Sequence, residues 1–308
     1  MTTTDQHPLP ATRTRAEVES QPAIWTRVLA ESLRTSAVLP TAGTPVLFVG
    51  CGTSYYVGES YARLRNDAGL GRTRAAIASE IPYLDPAETL VVLSRSGTTT
   101  DVLRVVEQLR GSTSVIGVVG EAGTPVAEAC DRTLLLDYAD ETSIVQTRFA
   151  TSALLLLRAS LVGAAGDAGD AALSELPAQA GAALVLPLPD PLPRHVVFLG
   201  AGWTIGLAHE AALKCREAAG AWTESYALME YQHGPIAVAG PGTLVWSFGP
   251  VPEFVADPVR ATGATLVAPE LDPLAQLPAV HRLALALAAA AGRDPDRPHH
   301  LSRSVQLD

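Results

Sequence analysis

The sequence predicts an α/β protein of two tandem units, each a parallel sheet covered by helices on both faces. Three observations carry this. Short apolar runs alternate with helical stretches, one strand-and-turn pattern occurs twice about 150 residues apart, and a proline-dense segment separates the two occurrences. Wholly apolar strands matter because a parallel strand is buried on both faces, whereas a strand with one wet face alternates.

Residues 1–12 are polar and contain proline, which predicts a tail. From Arg13 to about Ser36, Val18, Ile24, Trp25, Val28 and Leu29 fall near helical spacing. Residues 1–40 therefore read as a tail and a helical arm. In the first unit, 41–165, the run Val46-Leu47-Phe48-Val49 predicts a strand and a helix begins near Ser54. Leu90-Val91-Val92-Leu93 predicts a second strand before a helix from about Thr98, and Val115–Val119 a third. Residues 144–164 read as a long apolar helix. Residues 166–193 are rich in Ala, Gly and Pro and close on Leu186-Pro187-Leu188-Pro189-Asp190-Pro191-Leu192-Pro193, a density that excludes helix or central strand and reads as an interlobe linker. In the second unit, 194–308, His195–Gly202 resembles Pro45–Gly52 at an offset of 150 residues, and Gly242–Ser247 resembles Thr89–Ser94 at an offset of 153. The chain reads as a duplication. Its copies are unequal: the first continues as Ser94-Arg95-Ser96-Gly97-Thr98-Thr99, the second as Phe248-Gly249-Pro250.

Composition narrows the function. With 47% hydrophobic and 18% charged residues in 308, the chain can bury a large core. A net charge of −10 argues against nucleic acid, although backbone amides and hydroxyls can still hold one phosphate locally. No apolar run reaches the ~18 residues of a membrane helix, and no signal peptide is recognisable, so a cytoplasmic location is expected. Cys51, Cys130 and Cys215 are too scattered for a disulfide framework or a zinc site. One lysine, Lys214, stands against 21 arginines.

Ser94 to Thr99 follows a predicted buried strand and opens a helix, the place where a parallel sheet binds ligands. Gly97 lets the backbone approach, the helix start offers amides, and Ser94, Ser96 and Thr99 add hydroxyls suited to phosphate oxygens. Ordinary helix capping explains any one of these hydroxyls equally well. Gly50-Cys51-Gly52-Thr53-Ser54 sits at the equivalent turn one strand earlier, with Cys51 as a small filler. On the helix from about Ile205, Glu210, Lys214 and Glu217 share one face, and His233-Gly234-Pro235 follows in a loop. A carboxylate and an imidazole beside a sugar phosphate suffice for ring opening and proton shuttling; the plainer alternative is a surface Glu210–Lys214 pair and a loop histidine without a role.

Gly50-Cys51-Gly52-Thr53-Ser54, Ser94-x-Ser96-Gly97-x-Thr99, Glu141 through Arg148, Ala211 to Glu217, His233-Gly234-Pro235 and the closing Asp294–Val305 occur in one order. Together they resemble the isomerase domain of glucosamine-6-phosphate synthase, in the double sugar isomerase (SIS) family. The resemblance covers roughly residues 15–308. It implies two tandem SIS lobes, each a parallel five-stranded sheet flanked by helices in a flavodoxin-like three-layer sandwich. It further implies an isomerase or deaminase of an amino-sugar or hexose 6-phosphate, without metal or organic cofactor. By the same resemblance Thr53, Ser54, Ser94, Arg95, Ser96, Thr99, Ile144 and Ser302 contact phosphate and sugar. Glu217 moves the proton, Lys214 supports it, and His233 opens the ring from a partner subunit in a homodimer. Two departures stand out. No glutaminase segment precedes the lobes, so glutaminase activity is not expected. Arg303 replaces the tail lysine that forms an imine with the keto sugar; a guanidinium stays protonated and can bind the sugar but not form an imine. A non-catalytic sugar-phosphate sensor and an SIS lyase of an ether-linked sugar phosphate are the alternatives.

Overall fold

A computed structural model describes residues 11–81, 83–162 and 167–307. Its first sheet is parallel throughout, in the order β2-β1-β3-β4-β5, from β1 (Val46–Gly50), β2 (Thr73–Ile77), β3 (Thr89–Ser94), β4 (Val115–Val119) and β5 (Arg132–Leu135). The three central strands are buried almost throughout. The edge strands β2 and β5 carry Arg74 and Arg132 because one side stays wet, which is why periodicity alone did not reveal them. The second sheet contains β6 (His195–Gly200), β7 (Trp222–Ala227), β8 (Thr243–Ser247) and β9 (Thr265–Val267), also parallel, in the order β7-β6-β8-β9. That is the first sheet's order without its last strand. The expectation of five strands in each sheet is corrected here to five and four among the described residues. After β9 the chain passes through Pro269, Glu270, Asp272 and Pro273 before α11 (Leu277–Ala290), leaving no apolar run to pair.

Side chains of each strand alternate between two surroundings. Val46, Phe48, Val91 and Leu93 face inward, where they join Val196, Phe198, Leu244 and Trp246 of the second sheet in one hydrophobic core. Leu47, Val49, Leu90 and Val92 face out into a separate cluster with Val102 and Val106 of α4 (Thr100–Leu109). The shared core corrects two expectations. The segment expected as an arm forms α1 (Thr12–Glu19) and α2 (Gln21–Ser36), and Trp25 and Val28 are fully buried in that core. The segment expected as a linker holds α7 (Asp167–Ser174) and α8 (Leu176–Ala183), and Leu176, Ala180 and Ala183 of α8 are fully buried; among its described residues the proline stretch 186–193 is irregular. Small alanine faces pack closely there, which a reading by composition overlooks. Residues 1–10 of the expected tail lie outside the described residues, and Thr12 already opens α1. The expected helix over 144–164 is α6 (Arg148–Ala159).

α3 (Thr53–Asp67) and α9 (Thr204–Ala219) cross between the sheets. A Cβ on Gly206 would lie 2.4 Å from the Tyr56 carbonyl oxygen and 2.3 Å from Ser60 Oγ, so the crossing needs glycine. Four residues on, the same face of α9 presents Glu210 to α3. Among the described residues no helix is long and apolar enough to cross a membrane.

Candidate active site

Both sheets reverse strand order after their first strand, so a crevice opens at the carboxyl ends of β1 and β3 and again at those of β6 and β8. The first crevice is bounded by the turn 50–53 and the loop Ser94–Thr99. Gly97 has φ +61°, and a Cβ there would lie 1.9 Å from Thr124 Oγ1, so this position admits only glycine. The Gly97 amide donates to Ser94 Oγ (3.2 Å), and the Thr98 amide and hydroxyl donate to Ser96 Oγ (3.3 and 3.1 Å). Thr99 occupies the cap position of α4 without a side-chain capping bond, leaving its hydroxyl available. The irregular C-terminal segment lies across this loop: the Thr100 amide donates to the Val305 carbonyl (3.2 Å), and the Leu307 amide to Thr100 Oγ1 (2.9 Å). A cavity of about 320 Å³ lies between them, lined by Ser96, Thr98, Glu121, Arg303, Ser304 and Gln306. The second crevice differs. Phe248 is buried in the shared core and Ser247 Oγ donates to the Gly249 carbonyl (3.0 Å).

Arg95 does not point at the loop's hydroxyls. It is buried and donates to the carbonyls of Ser143 (2.8 Å), Ile144 (3.1 Å) and Arg303 (3.4 Å), so it ties the segment before α6 to the tail. Ile144 enters through this backbone carbonyl. Burial lowers the Arg95 pKa, with Glu141 opposing. Glu141 itself explains where α6 starts. Its buried carboxylate accepts the amides of Thr147 (2.7 Å), Arg148 (2.9 Å) and Phe149 (3.2 Å) and the Thr147 hydroxyl, capping the helix from outside it. Burial raises its pKa. Arg303 Nη2 donates to both carboxylate oxygens of Asp140 (2.9 and 2.8 Å), and Nη1 donates to the Glu141 carbonyl. Ser302 is exposed and donates to the Ser304 carbonyl (2.8 Å).

The titratable face of α9 is buried. Glu210 and Lys214 are each 1% exposed and Glu217 21%, so the surface-pair alternative fails. The Lys214 ammonium donates to Glu217 Oε2 and lies 3.5 Å from Glu210 Oε1. Burial pushes the Glu210 pKa up to about 7, against the pull of Lys214 and the Thr53 hydroxyl. Burial alone would lower the Lys214 pKa, but the two carboxylates outweigh it and raise it, so the amine stays protonated. Thr53 and Ser54 are buried at the start of α3. Cys51 is half-buried and burial raises its thiol pKa, in keeping with a filler rather than a nucleophile.

The structure thus brings Thr53, Glu210, Lys214 and Glu217 together, and separately Arg95, Ile144 and Arg303 beside the loop Ser94–Thr99. His233 joins neither group. It sits exposed on a turn after β7 and has no hydrogen bond to Glu217 or Lys214. Sequence reasoning missed Asp140 as the Arg303 partner, Glu141 as a cap and the special state of Glu210. Ala208, Ala211 and Ala212 around Glu210 were the available signal that its surroundings are dry. Among the described residues no three His, Cys, Asp or Glu side chains gather as a metal site.

Residues 44–162 match the SIS domain family. The glutamine–fructose-6-phosphate aminotransferase (isomerizing) of Aeropyrum pernix is 30% identical over 328 aligned positions, covering 90% of this chain and 53% of that protein. The chain therefore spans about half the length of such curated relatives. The solved structure of glucosamine-6-phosphate deaminase from Thermotoga maritima superposes with a TM-score of 0.85 at 25% identity, covering 96% of this chain and 99% of that one. The C-terminal domain of glucosamine–fructose-6-phosphate aminotransferase from Francisella tularensis shares the fold (TM-score 0.79, 19% identity, 92% and 98% covered). Residues 44–162 thus carry an SIS domain, and the chain is similar over most of its length to about half of the isomerizing aminotransferase and to the solved deaminase.

Proposed function

We propose that the chain is an isomerase or deaminase of an amino-sugar or hexose 6-phosphate. The observation that carries this reading is the buried Glu210–Lys214–Glu217 face, set against Thr53 of the turn that borders the Ser94–Thr99 loop. The loop holds the phosphate through Ser94, Ser96, Thr99 and the amides at the start of α4. Glu217, the most exposed of the three, removes the proton from C2 of the open-chain sugar and returns it at C1, passing through an enediol or enaminol. Lys214 holds Glu217 in place through their ion pair. With a 2-amino sugar the same shift leaves an imine at C2, and water releases ammonia and the ketose.

His233 opens the ring from the neighbouring subunit of a homodimer. Its exposure supports this, as do the exposed Met229 and Val238 on either side, an apolar rim suited to a second copy. Arg303 holds the tail over the loop and forms no imine.

The test is a panel of hexose and hexosamine 6-phosphates assayed for isomerisation, ammonia release and exchange of the C2 hydrogen with deuterium. Glu217→Gln should lower exchange by about 10²–10⁴-fold while binding persists. Parental exchange in that variant would remove Glu217 as the base. Binding without exchange in the parent would favour a sugar-phosphate sensor, a reading consistent with Arg303 in place of an imine-forming amine.

A further inference from the structure

Of the three titratable groups on the α9 face, Glu210 alone has no task in the chemistry above. It is 1% exposed, and neither of its carboxyl oxygens makes a hydrogen bond among the described residues. The charge it faces is the Lys214 ammonium, 3.5 Å from Oε1, and the same ammonium donates to Glu217 Oε2. Spacings of four and three residues thus set one ammonium between two carboxyl groups on one helix face.

The elements packed around α9 leave that arrangement intact. From α3, Thr53 and Tyr56 face Glu210, while Glu59 faces His209 of α9 (3.7 Å). Glu141, before α6, acts on Lys214 from further away. His281 of α11 is buried and neutral, its pKa pushed down to about 3 by burial and, less, by the Lys214 charge. On the sheet side, His195 of β6 and Glu224 of β7 pair with each other (3.2 Å). Lys214 is therefore the cation that Glu210 and Glu217 share.

Such an ammonium is either committed to one carboxylate or divided between two. Burial holds the Glu210 pKa up at about 7, so the change between these states falls in the neutral range. Below it Glu210 is an uncharged acid and Lys214 is drawn to Glu217; above it a second negative charge pulls the ammonium back towards Glu210.

We propose that Glu210 is a positioning residue that sets how tightly Lys214 holds Glu217: the protonated acid leaves the ammonium committed to Glu217, whereas the carboxylate shares it and frees Glu217 to take a proton from carbon. The role rests on the proposed proton transfer by Glu217. Exchange at C2 therefore quickens as Glu210 ionises, and no atom of Glu210 has to meet the substrate.

The experiment follows exchange of the C2 hydrogen with deuterium against pH, on whichever hexose or hexosamine 6-phosphate exchanges fastest, beginning with glucosamine 6-phosphate and glucose 6-phosphate. Between about pH 6 and 8 a group titrating near 7 goes from about one-tenth to about nine-tenths ionised, so the parent's rate at saturating substrate should rise by up to about tenfold. Glu210→Gln keeps the size of the side chain but cannot ionise, and its rate should stay flat near the parent's low-pH level. Glu210→Asp restores an ionisable group and should restore a rise. Titration of the substrate itself is common to all three proteins and cancels in the comparison. A merely structural role would lower the rate by one factor at every pH and leave the rise in place. A rise that persists in Glu210→Gln, or a flat parent profile, overturns the positioning role alone. A parent without exchange on any hexose or hexosamine 6-phosphate overturns the proposed function and this role together. Should neither variant fold, infrared spectroscopy of the parent decides: the band of a protonated carboxyl should disappear in step with the rise in exchange, and its absence overturns the inference.

Discussion

Replacing Glu210 by glutamine should change how stability depends on pH, with a calculable sign and size. The carboxyl has a pKa of about 7 in the folded chain against an ordinary 4.5. Between those values the folded state keeps a proton that the unfolded chain has released. The stability tied to Glu210 is therefore complete below pH 4.5 and is lost as pH rises through 7. A difference of about 2.5 units corresponds to about 3 kcal/mol. His281 acts in the opposite direction. Its folded pKa of about 3 lies below the ordinary 6.5, so its neutral burial costs stability at low pH and the cost fades as pH rises towards 6.5. In the parent the two slopes partly cancel, which hides each from inspection. In Glu210→Gln only the first is removed; the attraction to Lys214 acts on the ionised carboxylate and is already contained in its pKa of about 7. Urea unfolding of both proteins at about pH 5, 6, 7 and 8 isolates the difference. The variant should gain on the parent by about 2.5 kcal/mol between pH 5 and pH 8, since part of the linkage lies below pH 5. A difference that stays flat with pH would refute the assignment of a near-neutral pKa to Glu210, and with it the account of a dry, carboxylate-rich face on α9.

Three further outcomes are expected. Ser96→Ala with Thr99→Ala should weaken sugar-phosphate binding by about 1.5–3 kcal/mol per lost bond to charged phosphate, read by calorimetry on protein that remains folded; unchanged affinity would return both hydroxyls to local loop structure. Glu141→Ala leaves three buried amides at the start of α6 without an acceptor and should cost about 2–4 kcal/mol in thermal or urea unfolding, more than Glu141→Gln; equal stability of all three forms would contradict the capping role. Borohydride reduction with a keto sugar phosphate should leave no adduct at Lys214, the chain's only lysine, which is buried and protonated between two carboxylates, whereas Arg303→Lys should be trapped; mass spectrometry of an adduct on the parent's Lys214 would overturn this account of the amine.

The strands β1, β3, β4, β6 and β8 were legible because a strand buried on both faces writes itself as a continuous apolar run. The repeat of strand and turn was legible for the same reason, and the unequal loops after Ser94 and Ser247 followed from residue type alone. The edge strands β2, β5, β7 and β9 were not, since half-wet edges blur the pattern. Nor could composition separate a linker from α7 and α8, because alanine suits both a flexible connection and a tightly packed helix.

The chain's own order determined which residues share a face of α9 and which loop carries the hydroxyls, since 3.6-residue and 2-residue periods act over a few positions. Only the tertiary structure decided what those residues meet. Gly206 allows α3 and α9 to touch and so sets Thr53 against Glu210; Arg95 is turned from the loop towards the carbonyls of Ser143 and Ile144; Arg303 reaches Asp140 from the far end of the chain. These partners lie tens to hundreds of residues apart, and the charge states of Glu210, Lys214 and His281 depend on how completely packing removes water from around them, a property no local pattern encodes.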